Sequence, residues 1–294
     1  MIHIGIDMGG TKIEGVVLDE QHCELFRKRV ATQAEQGYDA ILNRIQNLVR
    51  ELADRTPAEP HTLGIGAPGV VSPETGLMKN SNTVCLNGRP VKADLERRLG
   101  RPLAMQNDAN CFALAEARLG AGRGRKLVFG VILGTGCGGG LVYNGEVITG
   151  PQGIAGEWGH MSINPEGPLC FCGRRGCVET YISGSGLQAR YREQFGVAKS
   201  MEGIEADYRR GDPAAVRFIG EFLRHFGRAL ANLIDVLDPD AVVLGGGVSK
   251  FAELYTLGVA EVAKCVFNDT LTTPILRHEL GDSAGVLGAA LTGI

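Results

Sequence analysis

Ile2-His3-Ile4-Gly5-Ile6-Asp7-Met8-Gly9-Gly10-Thr11-Lys12-Ile13-Glu14-Gly15-Val16-Val17-Leu18 runs apolar up to an acid, turns on two glycines, and resumes in a stretch rich in Ile and Val. That pattern predicts a β-hairpin with Asp7 at its bend. The plan returns in the second half of the chain. Leu127 to Leu133 reads as a buried strand, Gly134-Thr135-Gly136 as a glycine turn, and Gly139 to Tyr143 as a second strand. Two units built alike predict a duplicated α/β architecture rather than one sheet, with two domains facing each other across a cleft that takes a ligand.

The intervening segments fit this plan. Ile41, Ile45, Leu48 and Leu52 recur at helical spacing between Tyr38 and Leu52, and Leu63 to Ala67 reads as a buried strand that stops at Pro68-Gly69. Ser185 to Leu237 is helix-rich, and Ala241 to Leu244 is a further strand ending in Gly245-Gly246-Gly247. The glycine-rich link Gly120 to Gly124 marks the expected boundary. It separates an N-terminal domain, residues 1–119, from a C-terminal domain, residues 120–282. A closing helix of small residues within 283–294 is expected to pack back on the first domain.

Composition narrows the function. The chain has 294 residues, 44% hydrophobic and 21% charged, as in a globular protein. Its net charge of -3 argues against nucleic acid as a partner, and Arg123-Gly124-Arg125-Lys126 is too short a basic cluster to change that. No apolar stretch has the length of a membrane span. The eight cysteines include three grouped with a histidine, the rest scattered in apolar surroundings, so reduced thiols and a cytoplasmic setting are expected.

That group is His160 with Cys170, Cys172 and Cys177. A Cys3His set closes a tetrahedron around zinc and leaves no open position, so the metal orders a loop and does not act as in a hydrolase. Two segments satisfy G-x-G-x-x-G, Gly64 to Gly69 and Gly134 to Gly139, but neither opens a helix, which excludes a dinucleotide fingerprint. The glycine turns suit another device, in which consecutive backbone N–H groups point at phosphate oxygens. Gly9-Gly10-Thr11 and Gly134-Thr135-Gly136, one per domain, are expected to clamp a triphosphate, with Asp7 organising Mg2+ through water.

In order along the chain, Asp7-Met8-Gly9-Gly10-Thr11-Lys12, Leu133-Gly134-Thr135-Gly136, Glu157-Trp158-Gly159-His160, Cys170-x-Cys172-Gly173-x-x-Gly176-Cys177-x-Glu179 and Val243-Leu244-Gly245-Gly246-Gly247 resemble the ROK family of sugar kinases. The resemblance covers nearly the whole chain. It implies the hexokinase-type ATPase fold, with two actin-like, ribonuclease H-like α/β domains. It further implies ATP, Mg2+ and structural Zn2+ as cofactors and a homodimer as the assembly. Asp108 is the implied catalytic base, although an aspartate before the helical run Ala109 to Arg118 also suits an N-cap. The implied sugar contacts are Asn82, Asn107, Asp108, Glu157, His160 and Glu179, with His160 serving both metal and sugar. The implied nucleotide contacts are Gly5, Asp7, Gly9, Gly10, Thr11, Lys12, Gly134, Thr135, Gly136, Gly138, Gly139, Gly245, Gly246 and Gly247.

The stretches Lys79 to Thr83 and Leu86 to Pro90, with Trp158, resemble bacterial fructokinases of the manno(fructo)kinase type, although Cys85 stands where that pattern has tryptophan. Phosphorylation of fructose to fructose 6-phosphate is therefore the expected activity. N-acetylglucosamine or glucose is the alternative, since Asn107 to Glu116 and Gly138 to Leu141 look equally like N-acetylglucosamine kinases. A reading of another class is a sugar-binding regulator. Asp7, Asp108 and the immediate start of the first hairpin, where ROK repressors carry a helix-turn-helix, weigh against it.

Overall fold

The computed structural model describes residues 1–56 and 60–294. Its strands and helices form two compact units. The first comprises Met1–Leu119, Gly140–Ala155 and Leu280–Ile294, and the second Gly120–Gly139 and Gly156–Glu279.

In the first unit, β1 (Ile2–Met8) and β2 (Lys12–Leu18) form the expected hairpin, with Asp7 opposite Glu14. The chain continues through β3 (Glu24–Ala31), α1 (Tyr38–Ala53) and β4 (His61–Ala67), then the two-residue strands β5 (Val70–Val71) and β6 (Met78–Lys79). It closes with α2 (Val91–Leu99), β7 (Ala104–Asn107) and α3 (Asp108–Arg118). The sheet order is β3-β2-β1-β4-β7, antiparallel on the β3 side and parallel from β1 through β4 to β7. Ile4, Ile6 and Ile13 pack with Ile41, Leu42, Ile45 and Leu52 of α1 in one core. Each such buried side chain contributes about 1.5–3 kcal/mol.

Three parallel strands therefore end together at Asp7, Ala67 and Asn107, since Asp7 pairs with Gly66 and Ala67 with Asn107. The carboxyl ends of parallel strands are where open α/β sheets bind ligands.

The rest of the chain contains β8 (Leu127–Leu133), β9 (Cys137–Tyr143), β10 (Glu146–Ile148), α4 (Glu179–Ile182), α5 (Gly184–Phe195), α6 (Met201–Arg209) and α7 (Pro213–Leu237), then β11 (Ala241–Gly245), α8 (Leu257–Ala263), β12 (Ile275–Arg277) and α9 (Ala284–Thr292). Its sheet order, β10-β9-β8-β11-β12, repeats the first sheet's plan of a hairpin followed by parallel neighbours. α7 is capped by the Asp212 side chain, starts with Pro213, and buries Phe218, Phe222 and Phe226 along one face.

α9 lies on the first unit's sheet. A Cβ on Gly5 would come within 2.4 Å of the Val286 carbonyl oxygen, and one on Gly64 within 1.8 Å of that of Ala289. Only glycine admits so close a helix. Gly140–Ala155, assigned from the sequence to the second domain, groups with the first unit, where Arg118 Nε donates to the Gly145 carbonyl at 2.8 Å and Lys79 Nζ to that of Gln152 at 3.2 Å. Among the described residues, no helix is long and apolar enough to cross a membrane.

Candidate active site

In the first unit, the hairpin bend is closed by Gly9 N–H donating to the Lys12 carbonyl at 2.9 Å and braced by Thr32 Oγ1 donating to the Gly9 carbonyl at 2.7 Å. Gly10, Thr11 and Lys12 are left exposed. Asp7 is half-buried beneath this bend. Burial first, and then the charges of Asp108 and Glu14, push its carboxyl up to about 7, with Lys12 opposing. Glu14 itself is fully buried but held by Arg27 at 3.0 Å and Arg29 at 2.9 Å, both from β3.

β7 passes into α3 without a loop. Asn107 is the N-cap, its Oδ1 accepting from Ala109 N–H at 2.9 Å, and Asp108 is the first helical residue, its Oδ1 also accepting from Ala109 at 2.8 Å. The capping role weighed for Asp108 thus falls mainly to its neighbour. Asn107 Nδ2 donates to the Gly69 carbonyl at 3.4 Å, and a Cβ on Gly69 would sit 3.1 Å from Ser81 Cβ. Ser81 is in turn gripped by the Asn87 amide, which accepts from its N–H at 2.8 Å and donates to its carbonyl at 2.9 Å. Exposed Asn82 follows, so this unit gathers Asn82, Asn107, Asp108 and Asp7 at one end of its sheet. Behind the two aspartates lies the Cys111 thiol, pushed well up by burial and by their charges.

In the second unit, the predicted ligand set comes together. The donor atoms of His160, Cys170, Cys172 and Cys177 all lie within 4.8 Å of one another. His160 Nδ1 is 3.6 Å from Cys170 Sγ, and Cys172 Sγ is 3.6 Å from Cys177 Sγ. A zinc tetrahedron with Zn–S near 2.3 Å has sulfur–sulfur edges of about 3.8 Å, so the donor set fits. Burial raises the Cys172 thiol, but the Arg174 backbone and side chain outweigh it and bring Cys172 down to about 6; burial leads in pushing Cys177 up to about 12. With Nδ1 on the cysteine side, Nε2 is the ring nitrogen that remains on the opposite edge.

Glu157 caps the short helical turn Trp158–His160 by position, and Glu179 opens α4 with Oε2 accepting from Cys137 N–H at 2.9 Å. A Cβ on Gly136 would lie 2.7 Å from the same oxygen, which places Glu179 against the Gly134–Gly136 turn. That turn also meets the start of α5. Gly184 N–H donates to the Gly134 carbonyl at 2.8 Å, and Ser185 Oγ donates to that of Thr135 at 2.7 Å. Gly246 has φ +84° and would put a Cβ 2.5 Å from the Leu133 carbonyl oxygen. Three glycine segments, 134–136, 184–186 and 245–247, therefore converge. The middle one went unnoticed in the sequence, although Ser183-Gly184-Ser185-Gly186 is a legible signal.

Three of the expected nucleotide glycines have a packing role in the fold. Gly5 lies beneath α9. Gly138 presents its carbonyl to Trp158 Nε1–H at 3.0 Å, and a Cβ on Gly139 would strike Phe129 and Trp158 at 2.7 Å. Trp158, read as a mark of sugar preference, is a buried core residue seated on those two glycines.

Residues 3–292 match the ROK family. An N-acetyl-D-glucosamine kinase of Pasteurella multocida (strain Pm70) is 40% identical over 297 residues, 97% of each chain. The ROK hexokinase of Thermus thermophilus superposes with a TM-score of 0.91 at 34% identity, covering 100% of this chain and 98% of its own. A ROK family glucokinase of Streptomyces griseus, solved with glucose and AMPPNP, gives a TM-score of 0.80 at 32% identity, covering 100% and 99%.

Proposed function

The chain belongs to the ROK family, and from that premise we propose that it transfers the γ-phosphoryl group of ATP to a hydroxyl of N-acetyl-D-glucosamine. The observation that carries the sugar is the Pasteurella relative, alike along nearly the whole chain and named for that substrate. This replaces fructose, whose support included Trp158, a residue occupied with packing.

In this reading the Asp108 carboxylate accepts the proton of the attacking hydroxyl, while Asn82 and Asn107 hold neighbouring hydroxyls. Glu157, His160 through Nε2, and Glu179 offer the sugar further donors and acceptors of fixed geometry. His160 Nδ1, Cys170, Cys172 and Cys177 hold a zinc ion whose contribution is structural, stiffening the segment that carries these contacts. The Gly9–Lys12 and Gly134–Gly136 turns receive phosphate oxygens, and Gly245–Gly247 admits the adenosine. Asp7 would be the carboxylate that holds Mg2+, which would supply neutralisation of the phosphate charge.

ADP release measured with a panel of hexoses tests the reading. N-acetyl-D-glucosamine should exceed fructose, mannose and glucose by about 100-fold or more in kcat/KM, because a site built to pair an amide rejects analogues that lack it. Fructose turned over as well as the N-acetylated sugar would overturn it.

A further inference from the structure

Gln106 and Asn110 flank Asp108 in the chain and are bonded to each other. Gln106 Oε1 accepts from the Asn107 N–H at 3.0 Å and from Asn110 Nδ2 at 2.9 Å. A single side-chain oxygen thus joins the last residue of β7 to the first turn of α3. No loop separates these elements, so the direction in which Asp108 leaves the backbone is set by how the strand end is tied to the helix.

The amide orientations are dictated by the backbone. A main-chain N–H only donates, so Gln106 must present its oxygen to Asn107, and Asn110 must then offer Gln106 its NH2 group. That leaves Asn110 Oδ1 pointing away. Asn110 is 5% exposed, and this oxygen accepts no hydrogen bond within the described structure. A buried acceptor without a donor destabilises a fold. Reversing the Asn110 amide would set two oxygens against each other and break the tie. Where a fold keeps a local cost of this kind, a functional position is the expected place to find it.

We propose that Gln106 and Asn110 form a clamp that positions Asp108, with Gln106 Oε1 as its pivot and the stranded Asn110 oxygen as its cost. The proposal rests on the reading of Asp108 as the base. The bonds of the clamp run between the strand end and the first helical turn, so it governs the placement of the carboxylate. Displacing a catalytic group by about 1 Å costs up to about 100-fold in rate.

Four variants test this, each measured for kcat, both KM values and thermal midpoint. Gln106→Met keeps the side-chain length but removes the acceptor; kcat should fall about 30-fold, equivalent to about 2 kcal/mol, with both KM values within about twofold. Gln106→Glu keeps an acceptor oxygen and should retain kcat within about threefold of the parent. Asn110→Leu removes the stranded oxygen with the clamp; kcat should fall about tenfold while the midpoint holds or rises, a combination that a purely structural role does not give. Asp108→Asn separates the two layers. If it turns over like the parent, the base reading fails and the clamp fails with it. If Asp108→Asn is inactive while Gln106→Met keeps full kcat, or while Gln106→Glu is as damaged as Gln106→Met, the clamp alone is refuted.

Discussion

Replacing Asp7 with asparagine should make the unliganded protein more stable at alkaline pH while abolishing turnover. Burial, Asp108 and Glu14 hold the Asp7 carboxyl near 7 in the fold, against 3.8 for an unperturbed aspartate. Because the folded value is raised, the group favours folding fully below about 3.8, and that favour is lost as pH rises through about 7. Linkage across this gap makes the penalty grow by about 2.6 kcal/mol between pH 5 and pH 8, or about 2 kcal/mol once partial exposure is allowed for. Asparagine matches the neutral acid in shape and carries no such penalty. Urea unfolding in the presence of EDTA, run from pH 5 to 8.5, should show the parent losing about 2 kcal/mol relative to Asp7→Asn over that range. Parallel pH curves, or a variant that is the less stable at pH 8, would refute the view that Asp7 is strained by its neighbours.

Three further outcomes are expected. Removing zinc with a chelator, or making Cys177→Ser, should weaken sugar binding by about tenfold or more and ATP binding by less than about twofold, read by calorimetry; equal losses would mean that the metal only holds the fold. His225 packs against Tyr181 with ring centroids 4.1 Å apart and planes tilted by 37°, and burial first, then Arg190 and Arg228, bring it down to about 4. Since this folded value is depressed below 6.5, the associated stability is complete above pH 6.5 and declines toward pH 4, by about 1–2 kcal/mol at pH 5; His225→Gln should flatten that part of the acid-unfolding curve. Gly246→Ala forces a Cβ into the Leu133 carbonyl at positive φ and should cost about 1–3 kcal/mol in stability, with the KM for ATP rising more than that for sugar.

The two hairpins were legible because their signal is local: apolar alternation on either side of a glycine turn needs no knowledge of the rest of the chain. The cysteine–histidine cluster was legible for the same reason, its four donors lying within eighteen residues of sequence, His160 to Cys177. β3 was not read because it is a polar strand whose Arg27 and Arg29 serve the buried Glu14 across the sheet. α2, β10 and β12 are too short to show a period. The glycines divided in a way no motif shows, since Gly5 and Gly139 satisfy close packing alone while Gly246 satisfies both a backbone angle and a close approach. Gln106 and Asn110 gave no signal either, because an isolated amide acquires meaning only from the donors that the fold brings to it.

Phosphorus NMR of a mixture of ATP, Mg2+ and N-acetyl-D-glucosamine tests the central claim most directly. The parent protein should convert the γ-phosphate signal into a sugar phosphate with matching ADP, and Asp108→Asn should leave it unchanged while still binding the sugar. Release of inorganic phosphate alone, or a sugar phosphate formed at the parental rate by Asp108→Asn, would contradict the account.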